Sequence, residues 1–405
     1  MNPIDQLRAA RPAHLDDTPV DPRTRAAELS RAMARPRPAP ARRRIVRPVW
    51  GLGLAGAAAA VTAVAVTISA TGGTAPRAPS AQVISSPATA TPRIELSGRS
   101  ILLAAAHGAA RQPDVTGAYW HTVSVSRNLF EAADGDYTVV DRQRNEVWTP
   151  SATGGEQWSR TRSLGAEPAG PDDRAAWERA GSPSEIQVRS PKRGNSPKSA
   201  GFTLSTEPGA AQDGHAPLVD GDKVFWLGRN VTMKDLRGLP KDPDRLKAWL
   251  LRSYEGHGTE SDAPMASDAW LFAVTVGLIT DMPVTPQVRG AAFRMLADLE
   301  TIEVVRDVVD AEGRTGSAVA IEERVRAKAD AKAGEGILRT RLIFDEATGR
   351  ALARDSVVVR PGGLQAGFAP GTVWNSETVL EAGWTDENRV ARSPPGTIEV
   401  PPRRR

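Results

Sequence analysis

An uncharged run of 22 residues, VWGLGLAGAAAAVTAVAVTISA at positions 49–70, constrains the rest of this chain more than any other stretch. As a helix it would be about 33 Å long, enough to cross a bilayer core. A buried helix of a soluble protein is the competing reading, since so much Ala and Gly makes the run a weaker hydrophobe than a Leu-rich span. The flanks decide between the two. Arg42, Arg43, Arg44 and Arg47 stand just before the run, whereas the first cations beyond it are Arg77 and Arg93. This asymmetry predicts a retained single-pass anchor, with residues 1–48 cytoplasmic and everything after the span outside the cell membrane. A cleaved leader fits less well, because about 48 residues would precede its apolar core where such n-regions are short.

Charge divides along the same line. Residues 1–48 hold 11 Arg and 5 acidic residues, leaving 41 basic and 43 acidic residues in the remainder, so the basic character belongs to the tail alone. A nucleic-acid-binding outer domain needs a basic face, and that class is not expected here. The chain has no cysteine. Disulfides, thiol catalysis, thiolate metal sites and a lipid-modified cysteine are therefore excluded. More than 300 residues follow the span, enough to build a full core without staples.

The tail carries one short apolar stripe, Ala26, Leu29, Ser30 and Met33, after a helix start at Asp21-Pro22. Leu29 and Met33 are the candidate contacts for a cytoplasmic partner. Residues 71–92 read as a Thr/Gly/Pro/Ala/Ser linker before a domain over 93–405. In that domain Ile101, Leu102, Ala105 and Ala109 have helical spacing. Alternation around Trp120, Val139, Trp148 and Trp158 predicts an antiparallel meander, and these tryptophans, Trp120, Trp148 and Trp158, are candidates for the lining of an apolar ligand pocket. From about 167 to 217, Pro, Gly, Ser and charge break the pattern, and a partly mobile insertion is expected. A strand at 223–230 then leads into three helices, capped by Asp242, Ser267 and Thr285.

Strands return from 302, in two hairpins turned by Asp310-Ala311-Glu312-Gly313 and Asp345-Glu346-Ala347-Thr348-Gly349. A calcium loop would need alternating ligands and a closing Glu, which these turns lack. The fold class expected is α+β. One curved antiparallel sheet takes strands from 118–165, 223–230 and 302–381, and the helices between 242 and 300 cover one face.

The five histidines fall singly, and no zinc-protease, nucleophile-elbow, phosphate-loop or dinucleotide motif is present. No catalytic, cofactor or metal residue is nominated, and His121 reads as a structural histidine. LLAAAHGAARQPDVTGAYWHT, LPKDP, PVTPQVRGAAFRMLADL, VVDAEGRTG and LIFDEATG resemble an uncharacterised actinobacterial family of single-pass membrane proteins. Its genes often stand beside those for extracytoplasmic-function sigma factors, which implies a sigma factor as the cytoplasmic partner. The meander and the late hairpin are more distantly similar to the half-barrels of lipoprotein-carrier and sigma-regulator domains. The expected function is a non-catalytic binding or sensor domain for a lipid or peptide outside the membrane, with a membrane-anchored hydrolase as the alternative.

Overall fold

Helix α1 (Gly98–Ala110) opens the part of the chain described by the computed structural model, which covers residues 97–189, 201–227, 229–259, 264–326 and 334–390. The tail with Leu29, Met33 and the four membrane-proximal arginines, the 49–70 run, the linker and the basic C-terminal end lie outside these residues. Among the described residues no helix is long and apolar enough to cross a membrane. In α1, the Ser97 hydroxyl accepts a hydrogen bond from the Ser100 amide, and the i, i+3, i+4 stripe buries Ile101, Leu102, Ala105, Ala106 and Ala109.

Three long strands follow, β1 (Tyr119–Glu131), β2 (Thr138–Pro150) and β3 (Glu156–Pro168). Next come α2 (Pro171–Arg179), β4 (Glu185–Val188), β5 (Phe202–Ser205), β6 (Gln212–Pro217), β7 (Lys223–Trp226) and β8 (Arg229–Thr232). The helical block is α3 (Met233–Arg237), α4 (Pro243–Leu251), α5 (Ser267–Thr280) and α6 (Pro286–Ala297). The chain then returns to strands in β9 (Glu303–Val309), β10 (Thr315–Arg326), β11 (Glu335–Phe344), β12 (Ala351–Arg360) and β13 (Val373–Thr385). Nine of these strands form one antiparallel sheet in the order β6-β3-β2-β1-β13-β12-β11-β10-β9, so the first and last long strands pair at its centre. The α+β class with a large antiparallel sheet is as expected.

Helices α1, α4, α5 and α6 and the β7–β8 hairpin bury their apolar sides together with Val319 and Ile321 of β10 and Leu342 and Phe344 of β11. Phe293 of α6 meets Phe344 with ring centroids 5.1 Å apart. Each such side chain contributes about 1.5–3 kcal/mol on leaving water, so this interface is the main source of stability. Helix α5, SDAWLFAVTVGLIT, is apolar around its whole circumference because α4, α6 and the sheet surround it. Caps terminate the helices as the sequence predicts at two points, where Asp242 accepts from the Arg245 amide and Thr285 from the Val288 amide. Ser267 is the first residue of α5 and not its cap, which falls on Ala266 without a side-chain bond.

Two further expectations are revised. The 223–232 segment is not part of the large sheet: β7 and β8 pair only with each other, and Trp226 turns into the helical core, where its Nε1 donates to the Val274 carbonyl at 3.1 Å. The vacant edge is taken by β6, from the stretch expected as an insertion. That stretch also supplies α2, β4 and β5, and Trp177, Ile186, Val188 and Leu204 build a second small core with Tyr137, Val139 and Ala166.

Candidate functional site

Strand register lines up a row of rings on the sheet face opposite the helices. His215 of β6 pairs with Trp158 of β3, Trp158 with Trp148 of β2, Trp148 with His121 of β1, and His121 with Gly383 of β13. His121 stacks on Trp148 at 4.6 Å and 17°, and His215 on Trp158 at 4.7 Å and 24°. Such directly opposed pairs are the unit of cross-strand stabilisation. Trp120 does not join them. Its register partner is Thr149, one position past Trp148, so the two-residue period turns it to the other face. There its Nε1 donates to the Asp281 carbonyl at 2.8 Å and its ring meets Trp384 edge-on at 5.5 Å. The three tryptophans nominated from sequence are thus divided between two faces, with Trp148 and Trp158 together and Trp120 apart.

At the rim where β1 begins and β13 ends, a groove of about 420 Å³ opens beside this row. His121 and Trp148 line it together with Arg144, Glu146, Glu381 and Arg350. Arg144 Nε lies 2.9 Å from Glu146 Oε1, and His121 Nδ1 lies 3.6 Å from Glu381 Oε2. Burial holds the imidazole pKa below its ordinary value despite the opposing pull of Glu381 and Glu146, so His121 is neutral at pH 7. Its Nε2 is buried without a hydrogen-bond partner.

The chain matches no family model, no curated protein and no solved structure.

Behind the groove, on the helix side, Arg354 of β12 joins two carboxylates. Its Nε donates to Glu377 Oε2 at 2.8 Å and its Nη1 lies 3.3 Å from Asp281 Oδ2, while Ser124 donates to Glu377 Oε1 at 2.8 Å. Burial pushes Asp281 up to about 6, whereas Arg354 and the Ser124 bond overcome the same effect and hold Glu377 low. The unequal bonding explains the split: Glu377 takes the closer guanidinium contacts and a hydroxyl as well.

Among the described residues no three His, Cys, Asp or Glu side chains are grouped to hold a metal ion, and no hydroxyl side chain hydrogen-bonds to His121. The arrangement can hold a ligand between charges of both signs over an aromatic floor. Arg144, Glu146 and Glu381 were not singled out from sequence, although 144 and 146 share the parity of Trp148 and so had to share its face.

Proposed function

We propose that this domain is a binding or sensor module of the cell envelope, carried outside the membrane by the 49–70 anchor, with the rim groove as its ligand site. The observation that supports it is the pairing of a 420 Å³ groove with a stacked His121–Trp148 floor and charged walls, in the absence of a nucleophile beside the imidazole among the described residues. A concave site with a few convergent polar groups and no catalytic constellation favours binding over turnover. The register shifts in the β1–β13, β2–β3, β11–β12 and β12–β13 pairs are of the kind that bend a sheet, in keeping with a half-barrel. A lipid or a peptide is the ligand class proposed, and a sigma factor held through Leu29 and Met33 is the partner proposed inside.

Full-length chain in mild detergent, scanned for melting shifts against lipid, peptidoglycan and peptide pools, should be stabilised by one of them without turnover. Glu146→Lys, which reverses a charge in the groove wall, should remove that shift. Product formation would instead favour the anchored hydrolase. Protease added to intact spheroplasts should digest the large domain and spare residues 1–48; the opposite pattern would overturn the topology.

A further inference from the structure

On the face opposite the helices, the row of rings stops one strand short. Register carries it from His215 through Trp158 and Trp148 to His121 on four adjacent strands, and the residue directly opposite His121 on the next strand is Gly383 of β13. Neighbouring strands lie about 4.8 Å apart, close to the 4.6 and 4.7 Å between the stacked ring centroids, so each of the four strands supplies one ring. Gly383 supplies none. A Cβ built on it would meet no heavy atom within 4 Å, and Gly383 itself lines the rim groove. Trp148, only 2% exposed, covers one face of the His121 imidazole, whose side chain stays 18% exposed. The gap is one strand wide, with the free face of His121 for a wall and Gly383 for a floor.

Glycine inside a strand weakens it, and usually marks a bulge, a close approach of another backbone, or the approach of a ligand. The bulge in the β1–β13 pair falls between Val123 and Ser124, away from Gly383. No backbone stands over the Cβ position, and Gly383 does not take a positive φ, so neither crowding nor strain requires glycine there. A ligand remains. The walls decide its kind, because Arg144, Arg350 and Arg389 line the groove with Glu146, Glu381 and Glu387, three cations against three anions. A ring that carries phosphate gains from the first set and loses to the second. A peptide backbone offers N–H donors and C=O acceptors in equal number and meets both. His121 is neutral at pH 7, and aromatic pairs gain from stacking beyond the area they bury.

We propose that the place over Gly383 receives an aromatic side chain of a peptide, which stacks on His121 and continues the row, while the charged walls bind the peptide backbone beside it. This inference rests on the rim groove being a ligand site, and it selects an aromatic peptide from the two ligand classes proposed for that groove.

The test uses full-length chain in mild detergent, labelled with 13C at histidine Cε1, and follows melting temperature and the His121 signal. The probes are N-acetyltryptophanamide, N-acetyltyrosinamide, N-acetylleucinamide and adenosine. The two aromatic amides should raise the melting temperature and move the His121 signal upfield through their ring currents, and the leucine amide should do neither. Gly383→Val, which suits a strand and fills the place, should weaken aromatic binding about tenfold without lowering the unliganded melting temperature. Gly383→Trp supplies the missing ring from the chain itself, so the His121 signal should move upfield without ligand and the amides should no longer bind. The His121 signal of the parent protein reads the contact whatever the variants do to stability. Four results would overturn the site: an equal response to the leucine amide, a raised melting temperature with the His121 signal unmoved, undiminished binding in Gly383→Val, or tighter binding of adenosine than of either aromatic amide, which would give the place to a nucleobase. If a lipid or a ring-free peptide from the pools binds while the aromatic amides fail, the groove reading stands and this inference falls; if nothing binds, both fall.

Discussion

Beneath α5 and α6 the strands β10 and β11 present Val319, Ile321, Leu342 and Phe344, all buried, while the alternate residues of the same two strands, with Asp355 of β12, put Glu322, Arg339, Arg341 and Asp355 on the reverse. Arg339 Nη2 reaches Glu322 at 2.6 Å, and Arg341 grips Asp355 with two bonds of 2.7 and 2.6 Å. The first face is continuous with the helical core, whereas the reverse sets a strip of ion pairs beside a much smaller buried cluster of Val308, Ala318, Ile343 and Ala353. The comparison teaches that a strand of period two can serve stability and surface chemistry at once, and that the two should respond to mutation on different scales.

The largest effect is expected where the apolar face is opened. Phe293→Ala, which empties the space against Phe344, should cost about 3–5 kcal/mol in urea unfolding. A much smaller loss would mean that the helical layer is not the principal core.

Glu323 sharpens the contrast, since it is a carboxylate on the apolar side. It stands between buried Ile321 and Val325 and opposite buried Leu338, and burial alone pushes it up to about 7. The folded state thus prefers the neutral acid. Its contribution is fully present below the ordinary value of 4.5 and is lost as pH rises through 7. Glu323→Gln should accordingly stabilise the domain by about 3 kcal/mol at pH 8 and leave it unchanged near pH 3.5. Equal effects at both pH values would show that the charge is not what costs stability. His121 runs the other way, because its lowered pKa contributes stability above 6.5 that is lost on acidification.

The smallest effect belongs to the ionic face. Arg339→Ala removes ion pairs to Glu322 and Glu303, in which the three side chains are 33%, 44% and 57% exposed, and should cost about 0.5 kcal/mol, less in high salt. A loss as large as that of Phe293→Ala would erase the distinction between the faces.

Much of this architecture was legible residue by residue. Asp310 closes its turn by accepting from the Glu312 and Arg314 amides, with Gly313 at φ 79°, and Asp345 accepts from the Thr348 amide and hydroxyl, with Gly349 at φ 63°. These turns, the Asp242 and Thr285 caps and the alternation of the long strands depend on groups within a few positions of one another, so the sequence determined them by itself. The register of β1 against β13 joins residues far apart in the chain, such as His121 and Gly383, and only the folded chain could decide it. That register, with the pairing of β2 and β3, parted Trp120 from Trp148 and Trp158 and gave β6 a place in the sheet that the 223–230 strand was expected to take. A charged residue reads the same in sequence whether it faces water or an aromatic ring. Its meaning depends on distance and burial, which non-local packing alone supplies.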